Sequence, residues 1–273
     1  MLQTRSLSMI IAAVFVSLFF LLASAHADGG GKLYLVGLGV GDRDNMTIRA
    51  RKTIAGADVI FAMKGIREGY ADLLSGKEVH EAGHGLFASF GHHRSADKVK
   101  AMEREARTVI RSAVAAGKTV AILDGGDPMV YGPHTGYLKE FADLNPEVVP
   151  GLSSFNAANA ALLRGVASGQ VSHSVIMTAA MGARKGYKGK DSLAELAKTQ
   201  STMVFFTMGM NLPEVIKQLR QSYPGDTPIA IVSHAGYREK QKVLKATLDT
   251  IIGKLDGGRL PFEHLIYVGD FLK

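Results

Sequence analysis

Residues Lys32 to Asp42 read KLYLVGLGVGD, and the reading of this stretch decides the fold. Leu33 to Val36 are apolar, so a buried strand is expected over Lys32–Val36. Gly37, Gly39 and Gly41 then stand at alternate positions, which lets the backbone turn tightly and lets a ligand approach it closely. Helical spacing follows over Met46–Ala55. Strand, glycine turn and helix in that order open an α/β fold. The turn is not a dinucleotide fingerprint, which needs G-x-G-x-x-G, and Asp42 at the helix entrance would repel a pyrophosphate. Gly117-Lys118-Thr119 is no phosphate loop either, because Ser stands at position 112 and a strand follows.

Working outward, apolar runs and helical patterns alternate to the end of the chain. Asp58–Phe61, Thr119–Leu123 and Glu147–Val149 read as strands, and Ala96–Ala116 and Thr135–Leu144 as helices. Val99, Met102, Ala106, Val109 and Val114 fall near one face of the Ala96–Ala116 segment, which Gly117 stops. After Pro150-Gly151 a new series begins. Its expected strands are Ser174–Met177, Met203–Phe206, Ile229–Val232, Val243–Ala246 and Leu265–Val268, and its helices Asp191–Lys198, Pro213–Ser222 and Leu248–Leu255. Two α/β domains are therefore expected, over 32–150 and 151–273. The second is richer in strands and so has a mixed sheet. Gly182–Lys190 (GARKGYKGK) reads as a basic, glycine-rich loop.

Composition narrows the function. Arg5 is the only charged residue before Asp28, Met9–Leu22 is an almost unbroken apolar run, and Ala25-His26-Ala27 ends it. That is the pattern of a secretory signal peptide over 1–27, cleaved after Ala27, with an exported, periplasmic product. Left uncleaved, it would anchor the chain to a membrane, although it is short for a span. The net charge of +7 is spread without a basic stripe, so nucleic acid is not the partner. There is no cysteine, which excludes thiolate metal sites and cysteine nucleophiles.

Two further segments sit where open α/β sheets bind ligands, at strand carboxyl ends. Asp124-Gly125-Gly126-Asp127-Pro128 exposes backbone groups and offers the Asp127 carboxylate; as a bare turn it needs no ligand. Val149-Pro150-Gly151-Leu152-Ser153-Ser154 places hydroxyls where a helix begins, and simple capping explains them equally. Together with VGLGVGD, in this order, these segments resemble the tetrapyrrole (corrin and porphyrin) methyltransferase family. Ala57-Asp58-Val59-Ile60, Phe205-Phe206-Thr207-Met208-Gly209, Pro228-Ile229-Ala230-Ile231-Val232, Thr247-Leu248 and Leu265-Ile266-Tyr267-Val268-Gly269 extend the resemblance from Lys32 to the C-terminus.

The resemblance implies two α/β domains with a cleft between them, a homodimer, and methyl transfer from S-adenosylmethionine to a ring carbon of a tetrapyrrole. By position it assigns Gly125, Gly126, Asp127 and Val130 to the methionine and ribose end of the cofactor. Ser153 and Ser154 would touch it from the next loop, and Met208 and Ala235 would flank the adenine. Val40, Asp42, His80 and His84 would face the substrate. The chain departs from the family where Val40 replaces a proline, and where Met63 replaces the acid–base aspartate of the uroporphyrinogen methylases. That second departure points away from uroporphyrinogen, and no catalytic base is assigned.

The histidines carry two other readings. His80, His84, His92 and His93 would ligate a metal-tetrapyrrole if the fold were kept as an exported binding protein without catalysis. His80-Glu81-Ala82-Gly83-His84 also satisfies H-E-x-x-H, the zinc-peptidase pattern, which requires both histidines on one face of a helix. Gly76, Gly83, Gly85 and Gly91 crowd that segment and oppose a helix.

Overall fold

The computed structural model describes residues 30–88, 94–206, 210–255 and 260–273. The expected signal segment, His92, His93 and Met208 lie outside those residues. The chain forms two compact α/β units. One holds the described residues up to Val36 with Lys52–Leu123 and Pro133–Val149; the other holds Gly37–Arg51, Asp124–Gly132 and Pro150–Lys273.

The first sheet is built from β1 (Leu33–Gly37), β2 (Val59–Ala62), β3 (Glu78–Glu81), β4 (Val120–Asp124) and β5 (Glu147–Val149), in the order β3-β2-β4-β1-β5. β2 pairs in parallel with β3 and β4, and β1 with β5. Every residue of β2 and β4 is buried, which is why both read as unbroken apolar runs rather than alternating ones. Helices α1 (Ile48–Gly56), α2 (Lys64–Gly69), α3 (Ala71–Leu74), α4 (Ala96–Ala115) and α5 (Thr135–Glu140) connect these strands. α4 buries Val99, Ala106, Ile110 and Ala113. Gly117 then takes φ +78°, and the Lys118 N–H bonds to the Ala113 carbonyl at 2.9 Å, the left-handed exit that only glycine adopts freely.

β3, α2 and α3 have no counterpart in the sequence reading. β3 is a short polar edge strand, EVHE, whose identity comes from pairing with β2 rather than from its own pattern. Its existence also overturns the zinc-peptidase helix. His80 and Glu81 are the last two residues of β3, and Gly83 (φ +64°) and Gly85 (φ +71°) bend the chain on either side of His84.

In the second unit, α6 (Ser154–Leu162), α7 (Leu193–Ala197), α8 (Leu212–Leu219) and α9 (Ile251–Lys254) accompany five strands. These are β6 (Val175–Thr178), β7 (Thr202–Phe206), β8 (Pro228–Ser233), β9 (Lys242–Thr247) and β10 (His264–Val268), in the order β6-β7-β10-β8-β9. β6 and β7 are parallel, while β7–β10, β10–β8 and β8–β9 are antiparallel, so the sheet is mixed as expected. Both faces are covered. Met203, Phe205, Ile229, Ile231, Ile266 and Val268 point into one apolar cluster, and Val204, Ala230, Val232, Leu265 and Tyr267 into another. This is the period-2 alternation of strands, here with apolar residues at both phases. The expected helix over Leu248–Leu255 shortens to Ile251–Lys254, since Leu248–Thr250 turn out of β9.

Candidate functional site

Four loops of the second unit meet through their backbones. The Leu38 N–H donates to the Asp124 carbonyl (2.9 Å), and Gly39 and Gly126 exchange both of their backbone hydrogen bonds (3.1 and 3.0 Å) as an isolated antiparallel bridge. A Cβ on Gly37 would stand 2.6 Å from the Gly126 carbonyl oxygen, and one on Gly151 would stand 2.1 Å from the same atom. The loops after β1, β4 and β5 are thus in direct main-chain contact, which any larger residue would force apart.

The fourth loop follows β8. The Asp42 N–H donates to the Gly236 carbonyl (3.0 Å), and the Asn45 side-chain amide donates to the Val40 (2.8 Å) and Gly236 (3.0 Å) carbonyls. The Arg238 N–H donates to Asp42 Oδ2 (2.9 Å), while its guanidinium pairs with Asp44. Asp42 is therefore occupied in tying the first loop to the fourth. Asn45 and Arg238 were not singled out from sequence, since nothing in a linear reading connects residues 191 and more positions apart.

This junction brings together the loops bearing Val40, Asp42, Gly125, Gly126, Asp127, Val130, Ser153, Ser154 and Ala235. Gly125 is exposed, with nothing within 4 Å of where a Cβ would lie. Gly126 is buried at φ +74°, and a Cβ there would come 3.2 Å from Val40 Cγ1. Asp127 is half-buried. Its Oδ1 accepts from the Met129 N–H (2.8 Å), which fixes the direction of the second oxygen, and the Val130 N–H closes the turn on the Asp127 carbonyl (3.1 Å).

Ser153 is buried and caps α6: its hydroxyl accepts from the Asn156 N–H (3.3 Å) and donates to Asn156 Oδ1 (2.6 Å). The half-buried Ser154 opens the helix. Ala235 packs against the cluster that includes Val232 and Tyr267. Tyr131 was missed from sequence. It is held at φ +61°, and its ring stacks on Phe206 at the end of β7 (centroids 4.4 Å apart, 23° between planes). Burial first, and the Asp191 carboxylate second, raise its hydroxyl above the ordinary phenol value.

His80 and His84 belong to the other unit. The His80 ring stacks on Phe61 (5.1 Å) and has Glu78 Oε1 at 2.9 Å from one nitrogen and Glu105 Oε1 at 3.3 Å from the other. The hydrogen bond from His80 is the main cause holding the Glu78 carboxyl below its usual value. Glu81 is engaged by Arg67 at 2.5 Å and Arg94 at 3.8 Å, and His84 is exposed. Among the described residues no group of His, Asp or Glu is placed to hold a metal ion.

The sequence profile of the tetrapyrrole (corrin/porphyrin) methylases matches residues 32–252. A cobalt-precorrin-4 C(11)-methyltransferase of Methanocaldococcus jannaschii is 32% identical over 251 residues, 90% of either chain. The uroporphyrinogen-III C-methyltransferase of the same organism is 29% identical, over 88% of this chain and 96% of its own. Among solved structures, a cobalt precorrin-4 methyltransferase of cobalamin biosynthesis superposes with a TM-score of 0.70 at 25% identity, over 89% of this chain and 96% of that one. A uroporphyrin-III C-methyltransferase from Thermus thermophilus complexed with S-adenosylhomocysteine shares the fold, with a TM-score of 0.61 at 23% identity over 89% and 99%.

Proposed function

The chain belongs to the tetrapyrrole methylase family, and on that premise we propose that it methylates a ring carbon of a corrin precursor of the precorrin-4 kind. It is an S-adenosylmethionine-dependent methyltransferase acting on a tetrapyrrole. The narrower choice of substrate is supported by the 32% identity with a precorrin-4 enzyme over 90% of both chains, and by Met63 at the position of the uroporphyrinogen methylases' aspartate.

One observation carries the assignment of the cofactor to the glycine junction. The loops there are packed through main chain so tightly that side chains are excluded, yet Gly125 beside them opens to free space. A surface of that kind offers backbone N–H and C=O groups to a ligand at close range. Gly125 and Gly126 would contact the amino-acid and ribose portion through the main chain. The free oxygen of Asp127 would accept from an ammonium or a hydroxyl, its direction set by the Met129 N–H. Val130 and Ala235 would supply apolar walls, and Ser154 the opening turn of α6.

Bound there, the cofactor supplies a methyl group on a sulfonium, a leaving group that needs no acid. What remains for this chain is orientation: a cradle fixed by main-chain bonds, whose geometry does not relax between ground and transition states. Asp42 serves as a strap to Gly236 and Arg238 in this reading, and the side chain of Ser153 as a cap; both hold the cradle rather than touch the reacting atoms.

Calorimetric titration of the full chain with S-adenosylhomocysteine tests this directly. Binding is expected, and Asp127→Ala is expected to weaken it at least tenfold, the effect of losing a hydrogen bond to a charged group (about 1.5–3 kcal/mol). A folded protein that gives no heat with that nucleoside would refute the reading.

A further inference from the structure

A cavity lies in the same unit, lined by none of the residues of the glycine junction. It has a volume of about 550 Å³, within the range of small-molecule sites. It opens where β6 and β7 end side by side, and the crevice beyond the carboxyl ends of parallel strands is where α/β sheets take ligands. Ala180, Met210 and Val215 give it an apolar floor, and Arg184, Lys185 and Asn211 a polar mouth. Asn211 caps α8 by accepting from the Glu214 N–H (3.2 Å), so the positive end of an eight-residue helix also faces this space.

The wall is fixed. The Gln218 side-chain amide donates both to the Ala183 carbonyl (3.1 Å) and to Glu214 Oε1 (2.9 Å), which ties α8 to the base of the loop and engages the one acid of the lining.

The glycine-rich loop supplies the charge. A Cβ on Gly182 would stand 2.6 Å from the Asp191 carbonyl oxygen, so the two ends of the loop touch. The Tyr187 hydroxyl donates to Asp191 Oδ1 (2.6 Å), holding the tip down. Arg184, Lys185, Lys188 and Lys190 are left exposed on it, and among the described residues none of the four is held in an ion pair. Four cations on seven residues, beside an apolar floor and a helix N-terminus, match a ligand with an apolar ring edge and a rim of carboxylates.

We propose that this cavity and the loop 182–190 bind the carboxylate-bearing rim of the tetrapyrrole substrate, with Arg184 and Lys185 as the principal contacts. The inference rests on the methyltransferase reading above and names the element of that enzyme which selects an acidic macrocycle. Carboxylates on acetate and propionate arms would take the cations at the mouth, while apolar ring edge covers Ala180, Met210 and Val215. Glu214 repels a carboxylate from the α8 side and so biases the orientation.

The test uses the full chain and uroporphyrin III, an octacarboxylate whose fluorescence reports binding. Wild type is expected to bind it, more weakly as salt rises. Arg184→Ala with Lys185→Ala is expected to lose at least tenfold in affinity and to flatten the salt dependence. Lys98→Ala with Lys100→Ala, which removes the same charge from α4, should leave both unchanged. Each protein is titrated in parallel with S-adenosylhomocysteine, whose affinity should not move. Equal porphyrin affinity in the Arg184/Lys185 variant and wild type overturns the proposal, as does an equal loss in the Lys98/Lys100 control. Absence of porphyrin binding in a wild type that still binds the nucleoside overturns it too, and leaves the cofactor assignment standing. Loss of both ligands in folded wild type would instead strike the reading on which it rests.

Discussion

A Cβ added to Gly41 would stand 2.1 Å from the Gly236 carbonyl carbon, whereas one added to Gly186 would meet nothing within 4 Å. The two residues share a left-handed backbone, with φ +82° and φ +79°. They come from two stretches, GLGVG and GARKGYKG, that are both rich in glycine. In the first, glycine is a packing element that lets four loops meet through their main chains. In the second it shapes a loop whose side chains face solvent. Glycine density along a chain says that the backbone is doing something unusual, but only its surroundings say whether that is close approach or a turn.

Substitution by alanine separates the two cases. Gly41→Ala incurs both the left-handed strain, roughly 1–2 kcal/mol, and an overpacking clash with rigid backbone, typically about 1–3 kcal/mol. A loss of about 3 kcal/mol or more in denaturant unfolding is expected, together with weakened nucleoside binding because the first and fourth loops separate. Gly186→Ala incurs only the strain, partly offset by the smaller entropy of the unfolded chain. Its expected cost is about 1 kcal/mol, with S-adenosylhomocysteine affinity unchanged. Equal losses in the two variants would mean that the junction is no tighter than the loop.

The same distinction governs what could be read from sequence. The expected strands from Lys32–Val36 to Leu265–Val268 recur in the structure within a residue or two. The central ones, such as β2 and β4, are buried along their length and carry continuous apolar runs, while the edge strands β5, β6 and β9 are partly exposed stretches. The mixed second sheet followed from its strand-rich composition. β3 was illegible, since Glu78–Glu81 is polar at an edge and becomes a strand only by lying against β2. At the candidate site, the loops after β1, β4 and β5 were visible through their glycines and their placement after strands, and the loop after β8 only through Ala235, which the resemblance assigned. The residues that lock them were not visible. Asn45 in the first loop reaches Gly236 in the fourth, Arg238 in the fourth reaches back to Asp44 in the first, and Tyr131 finds Phe206 only in three dimensions. Ser153 shows the limit from the other side: a hydroxyl at a loop end can serve a ligand or a helix, and here its visible partner is Asn156.

Gly125 is the position at which folding and binding come apart, and its substitution has the smallest expected effect on stability. Its backbone is not left-handed and its Cβ direction is open. By itself, then, Gly125→Ala should leave the fold unchanged or raise its stability by about 0.5 kcal/mol, through a less flexible unfolded chain. The open direction is nevertheless the one a ligand would use, because the neighbouring Gly37, Gly126 and Gly151 are already closed against one another. A methyl group there holds the ligand away from the main chain, so nucleoside affinity should fall about tenfold while the unfolding midpoint stays or rises. Opposite signs in two measurements on one variant would locate the cradle at this loop more firmly than any loss of activity, since general damage lowers both. An alanine variant that binds S-adenosylhomocysteine as well as wild type does would move the cofactor away from Gly125.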